Sequence, residues 1–332
     1  MHVRHTLRTA TGVLLVSAAM GCDDANRMIE PLASANNSSS ATAGQFKFTP
    51  LPSSAVCGPT TEQPFVLPAG YTQTVFAREG DGGTLDLWDM ATQNETGPEA
   101  GRFIYRAHEI GSNGQVSVTD LETNVTRVLA QRQDWERLDG IAWTPWGTIL
   151  TAEETTNSAL KDPTLPAARV GATGYGRPED VEIFTSTGNG GGQTLYVAIT
   201  SENRVLGVDL REPAGGREHG TALVYNFVRA GVNAPMDFVS PDNLALDKAG
   251  NLYITEDPSS NPVGADIWMA TPGNGGQHQA TGSTVRFASL PDCAAEPSGI
   301  YFDKRGWGLF VHVQHRGGPD PRDLAVKIER VE

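Results

Sequence analysis

Short apolar runs of β-branched and aromatic residues recur to the end of this 332-residue chain, separated by turns rich in Gly, Pro, Asn and Asp. Little helical periodicity lies between them, so the pattern predicts strands. One phrase returns four times: an acid, an apolar triplet, a turn, then an apolar strand ending in polar residues. Asp139-Gly140-Ile141-Ala142-Trp143 leads to Gly147-Thr148-Ile149-Leu150-Thr151 and Glu153-Glu154. Asp242-Asn243-Leu244-Ala245-Leu246 leads to Gly250-Asn251-Leu252-Tyr253-Ile254-Thr255 and Glu256-Asp257. Looser copies begin at Glu179-Asp180-Val181 and at Glu296-Pro297-Ser298-Gly299-Ile300. Their starts lie 40, 63 and 54 residues apart. Propeller blades repeat every 40–50 residues or so, with loops inserted between strands. The pattern predicts an all-β fold, a β-propeller of five or six blades, as a single domain over residues 46–332. A β-sandwich would explain the strands but not the repeated phrase.

The N-terminus breaks this pattern. Arg4 and Arg8 precede a short, mostly apolar run from Thr11 to Gly21. It falls short of the ~20 residues that span a bilayer, so residues 1–21 read as a signal peptide. Ala19-Met20-Gly21-Cys22 resembles a bacterial lipobox, which makes Cys22 the expected lipidation site. Residues 22–45, including the small polar stretch ASANNSSSATAGQ, read as a flexible tether. The expected location is outside the cytoplasm, periplasmic or at the cell surface, with the membrane reached only through the lipid. In an oxidising compartment the remaining pair, Cys57 and Cys293, can form a disulfide.

Composition narrows the partners. The 37 Gly and 21 Pro argue against long helices. A net charge of -14 repels polyanions, so nucleic acid is not an expected partner. A small-molecule ligand and a monomeric state are expected. In a propeller the innermost strands line one channel, so acids at the same place in each repeat project toward one rim. Asp139, Glu179, Asp242 and Glu296 are the acids in register, joined by Glu153, Glu154 and Glu256. Crowded carboxylates repel one another unless cations sit among them, and calcium takes six to eight oxygen ligands.

Five segments, in order, resemble the PhoX alkaline phosphatase family over roughly residues 68–318. Thr144-Pro145-Trp146-Gly147-Thr148-Ile149-Leu150-Thr151-Ala152-Glu153-Glu154 is similar to its TPWGTWLTCEE signature. Ala107-His108-Glu109 resembles its NHE element, and Gly176-Arg177-Pro178-Glu179-Asp180-Val181 its RPED element. Ser240-Pro241-Asp242-Asn243-Leu244 with Glu256-Asp257 resembles its PDNL…ED segment. Glu296-Pro297-Ser298-Gly299 with Leu309-Phe310-Val311-His312-Val313-Gln314-His315 resembles its closing segment. The resemblance implies a six-bladed propeller whose central channel holds more than one Ca2+, together with Fe3+. It implies hydrolysis of phosphate monoesters by a metal-bound oxide or hydroxide, outside the cytoplasm. It makes Arg177 the phosphate clamp and Glu109, Glu154, Glu179, Glu256 and Glu296 metal ligands. Asp242 joins them from the repeat.

The chain departs from that pattern in three places. The cysteine of TCEE is Ala152 here, and Asp86-Leu87-Trp88-Asp89 also offers no thiolate ahead of Glu109. Soft thiolate ligation of iron is therefore missing. Gln314-His315-Arg316 replaces the family's Gln-His-Pro ending. Two other functions fit the same residues. One is a lactonase-type hydrolase with a single calcium, held by groups such as Asn243 and Glu256. The other is a non-catalytic, calcium-binding propeller. His108 and His315 read as packing or supporting groups, and Trp143, Trp146, Trp268 and Trp307 as core residues.

Overall fold

In the computed structural model the described residues are 47–59, 61–154, 173–185, 192–211, 220–258, 262–272, 280–304 and 308–331. The expected signal peptide, tether and lipidation site Cys22 lie outside them, as does Trp307. Eighteen strands and two single 3-10 turns make up the regular structure among the described residues. The described residues are all-β, as the recurring apolar runs predict.

The strands form antiparallel sheets of sequential hairpins. The first sheet holds β2 (Trp88–Gln93), β3 (Phe103–His108), β4 (Gln115–Asp120) and β5 (Val125–Gln131). A two-stranded sheet follows, β6 (Leu138–Trp143) with β7 (Ile149–Glu153). The third runs through β8 (Pro178–Thr185), β9 (Gln193–Ile199), β10 (Arg204–Arg211) and β11 (Thr221–Arg229). The fourth runs through β12 (Pro241–Leu246), β13 (Leu252–Glu256), β14 (Ala265–Ala270) and β15 (Thr284–Leu290). The last comprises β16 (Glu296–Phe302), β17 (Gly308–Gln314) and β18 (Leu324–Arg330), and takes its fourth strand, β1 (Tyr71–Arg78), from the front of the chain. Five sheets are thus described, one fewer than the blades implied by the resemblance.

Burial explains the order. Middle strands such as β13, β14 and β17 are buried at every position, because neighbouring sheets cover both faces. The outer strand β5 alternates more and meets solvent. The first strands of the sheets touch one another: β2 meets β6 and β16, β16 meets β12, and β12 meets β8. A shared core of Phe287, Tyr253, Ile300, Leu309 and Val326 joins the fourth and last sheets.

β1 and the described segment ahead of it are tied to the last two sheets. β1 pairs with β18 from Tyr71↔Arg330 to Arg78↔Leu324. Ahead of β1, Phe48 packs its ring 5.0 Å from that of Phe287, and Val66 N–H donates to the Ser289 carbonyl. The expected Cys57–Cys293 disulfide is present, with Cα atoms 5.5 Å apart across 236 residues of sequence.

Candidate metal centre

The first strand of every sheet carries the same irregularity. Against its partner strand, the ladder takes three steps where the partner takes two: Trp88 to Ala91, Leu138 to Ile141, Pro178 to Val181, Pro241 to Leu244 and Ser298 to Tyr301. Such a bulge leaves a residue unpaired and re-aims its side chain. The residues freed this way are Asp89, Asp139, Glu179 with Asp180, Asp242 with Asn243, and Gly299 with Ile300. Four of the five bulges therefore carry acids, and all of those acids line one cavity of about 130 Å³.

A second repeated feature supplies further lining residues. Four of the first strands are preceded by a non-glycine residue in the left-handed region: Leu87 (φ 56°), Arg137 (φ 46°), Arg177 (φ 52°) and Ser240 (φ 43°). Each such residue costs on the order of 1–3 kcal/mol and persists where its surroundings hold it. Their carbonyls accept hydrogen bonds from the residue just beyond each second strand: Glu109 N–H to Leu87 (2.9 Å), Glu154 to Arg137 (2.8 Å), Thr200 to Arg177 (2.9 Å) and Asp257 to Ser240 (2.9 Å). Glu109, Glu154 and Asp257 are thus equivalent positions, and all three line the cavity.

Glu109, Glu154, Arg177, Glu179, Asp242 and Glu296 come together at the cavity. Glu256 does not. It is the last residue of β13 and is buried inside its sheet. There it accepts hydrogen bonds from Val239 N–H, Asp266 N–H and the Trp268 indole. The correction is one residue in register: along a strand, neighbours point to opposite faces, so Asp257 meets the cavity and Glu256 the core. Glu153 likewise turns away and accepts from Glu136 N–H. Glu296 does reach the cavity, but from the start of β16; the repeat-equivalent of Asp139 there is Gly299. Asp89 was legible only as the missing cysteine's neighbourhood, because its phrase lacks the apolar triplet of the other copies. Arg137 carried no motif; its guanidinium stands 3.9 Å from Glu109 and 3.8 Å from Glu154.

The supporting residues are specific. Arg177 donates from Nε to Glu179 (2.7 Å) and from Nη2 to Asp257 (2.9 Å). Its Nη1 has no partner among the described residues, and the side chain is half exposed. Asp180 accepts from Val181 N–H and Leu244 N–H, so it fastens β8 to β12. Asn243 Oδ1 accepts from Gly299 N–H at 2.6 Å. His108 is buried, within hydrogen-bond reach of Ser117 Oγ and the Leu85 carbonyl, and burial pushes it down to about 3; it is a packing group. His315 stands 3.6 Å from Glu296 at the rim. Trp268 is core, whereas Trp146 is 73% exposed.

Nine carboxylates and a single arginine line this cavity. Burial, and then the Asp139 and Asp242 charges, push Asp89 well above the carboxylate range. Burial and the neighbouring Asp257 carboxyl push Glu296 up to about 10, and burial with Glu154 pushes Glu109 up to about 7. Asp242 is raised by burial, then by Asp257 and Glu179. Asp257 goes the other way: burial opposes its charge, but hydrogen bonds with Glu296 and Arg177 hold it low. Carboxylates resist ionising together at this density unless cations join them. The donors lining the cavity are predominantly carboxylate and amide oxygens, with one thioether, Met90, and no thiolate. That set fits hard cations such as calcium.

Comparison with known proteins bears on this site. No curated protein matches the chain. Among solved structures, a candidate 6-phosphogluconolactonase of Bacteroides uniformis is 14% identical, covering 73% of this chain and 71% of its own, with a TM-score of 0.29. A Trichoderma reesei carbohydrate-active enzyme of family AA12 is 11% identical, with coverage of 82% and 99% and a TM-score of 0.37. A candidate glucose dehydrogenase of Thermus thermophilus is 14% identical, with coverage of 83% and 98% and a TM-score of 0.34. The profile of the family described as alkaline phosphatase PhoX matches residues 157–317, just under half of the chain. That stretch contains Arg177, Glu179, Asp242, Asp257 and Glu296, so the chain is similar to the PhoX alkaline phosphatases where most of its cavity residues lie, the family that its motifs also resemble.

Proposed function

We propose that the protein is an exported, calcium-dependent phosphatase that hydrolyses small phosphate monoesters. The observation that supports it most is the convergence of nine carboxylates and Arg177 on one cavity. In this reading the five sheets are blades of a β-propeller, with β1 closing the ring onto β18, and the cavity opens at one end of the central channel. Cys22 carries the lipid, and residues 22–45 tether the domain to the membrane.

The acids divide by what else they touch. Asp180 and Asn243 are engaged in holding the first strands together, which keeps the cavity's shape. Glu109, Glu154, Asp139, Asp242 and Glu296 would hold more than one Ca2+. The bound cations would supply positive charge to phosphate oxygens as Lewis acids. Arg177 is fixed at Nε and Nη2 by two acids, and its Nη1 is left to donate to a phosphate oxygen. A planar guanidinium held on two sides has little freedom left to lose when it binds an anion. The charge that grows on the equatorial oxygens in the transition state is met by a donor already in place. The oxygen-rich donor set gives iron no thiolate, so iron is left out of the proposal.

The lactonase reading is less well supported: Glu256 is in the core, and Asn243 Oδ1 already accepts from Gly299. Turnover of an aryl phosphate by the domain lacking residues 1–45 tests the proposal, with calcium and after chelation, beside Arg177→Ala and Asp242→Asn. The expectation is calcium-dependent turnover, reduced roughly 100-fold or more in each variant. Equal rates in all three proteins would reject the assignment. Calcium binding without turnover would favour the non-catalytic reading.

A further inference from the structure

Away from the cavity, three acids from three elements meet where the chain closes on itself. Glu79 follows β1, Asp86 precedes β2 and Asp323 precedes β18. One carboxylate oxygen from each lies within 4.8 Å of the other two. Oxygens that share a calcium at about 2.4 Å can stand no more than about 4.8 Å apart, so the spacing fits a common ion.

Crowding alone would not argue for an ion; the state of Asp323 does. Its side chain is fully buried. Oδ2 accepts from Trp88 N–H at 2.9 Å, but Oδ1 is buried with no hydrogen-bond partner. A buried carboxylate oxygen without a donor is costly, on the order of 1–3 kcal/mol or more for a charged group. No Lys, Arg or His among the described residues forms an ion pair with any of the three. Arg322 is paired with Asp320 and acts on Glu79 only at longer range. Burial, then the Asp86 and Glu79 charges, push the Asp323 carboxyl up to about 8.

The backbone already frames the site. Glu79 N–H donates to the Asp323 carbonyl at 3.0 Å, and Asp323 N–H donates to Glu79 Oε2 at 3.2 Å. Asp86 is anchored by Leu87 N–H on Oδ1, and Leu87 is one of the left-handed residues.

We propose that Glu79, Asp86 and Asp323 form a second divalent-cation site, of calcium class, that clasps β1, β2 and β18 at the seam where the two ends of the domain join. None of the three lines the central cavity. The ion supplies the missing partner of Asp323 Oδ1, with water completing its shell. Its role is structural, and it does not depend on the phosphatase reading.

Calorimetric titration of the full chain with calcium tests this, beside Asp86→Asn and Glu79→Gln. Asp86 is exposed, so its variant is expected to fold. Each variant should bind one calcium fewer than the wild type, whatever the cavity binds, and should lose part of the rise in melting temperature that calcium gives. Turnover of aryl phosphate at saturating calcium should stay at the wild-type level. An unchanged ion count in both variants would overturn the proposal, and would mean that the acids share protons instead. A lost ion accompanied by lost turnover would also overturn it, because the ion removed would then belong to the cavity.

Discussion

Gly299 sits where no other residue fits. Its φ is +55°, and an added Cβ would lie 2.2 Å from the Asp89 carbonyl oxygen and 2.4 Å from His312 Nδ1. Both neighbours are in the core, so neither can move aside. Gly299→Ala is expected to cost roughly 3 kcal/mol or more in denaturant unfolding, well above an ordinary surface change. The adjacent acids Glu256 and Asp257 separate structure from chemistry in the same way. Glu256→Ala leaves two backbone N–H groups and the Trp268 indole without their acceptor, and should cost at least about 2 kcal/mol. Asp257→Asn leaves that network intact but loosens Arg177, and should lower phosphate-ester turnover roughly 10–100-fold. Comparing unfolding and turnover for the two variants checks the one-residue shift. The sequence showed two acids in a row after an apolar strand. Which of them faced inward depended on the bulge in the preceding strand, and no residue type announces that bulge.

Much of the architecture was readable at the level of strands. Runs such as Leu252–Thr255 and Leu309–Val313 have the length and β-branched character of buried middle strands, and they are such strands. The recurring acid before an apolar triplet marked β6, β8 and β12 correctly. It failed at β16, whose first residue, Glu296, is an acid for a different reason, and at β2, where Trp88-Asp89-Met90 does not resemble the other copies. What the copies share is an extra residue in the first strand, and the backbone, rather than composition, carries that feature. The Cys57–Cys293 bond was foreseen from chemistry, since two cysteines left over in a chain expected to reach an oxidising compartment tend to pair. It fastens the segment ahead of β1 to the loop after β15. On the chain-entropy account, closing a 236-residue separation is worth roughly 5 kcal/mol, so Cys57→Ser with Cys293→Ser should lose about that much in chemical denaturation. A loss below about 1 kcal/mol would show that the other contacts of that segment hold it unaided.

Over the whole molecule, the sheets bring their first strands together and concentrate charge that the sequence spreads from Asp89 to Glu296. Without cations this concentration is a burden. Burial pushes Glu109 and Asp180 up to about 7, against about 4 in an unfolded chain. A carboxyl raised in this way keeps its proton in the fold. Stability is then complete below about pH 4 and is lost as the pH climbs through 7, where the unfolded chain gains by ionising. Calcium-free protein should therefore melt at a higher temperature near pH 5 than near pH 8, and calcium should remove most of that difference. A chelated protein that melts higher at the alkaline pH would contradict the sign. The most direct measurement is anomalous X-ray scattering from crystals grown with calcium. The account expects peaks inside the cavity bounded by Glu109, Asp242 and Glu296, within direct ligand distance of their oxygens. A cavity without such a peak, in crystals whose protein binds calcium in solution, would contradict it.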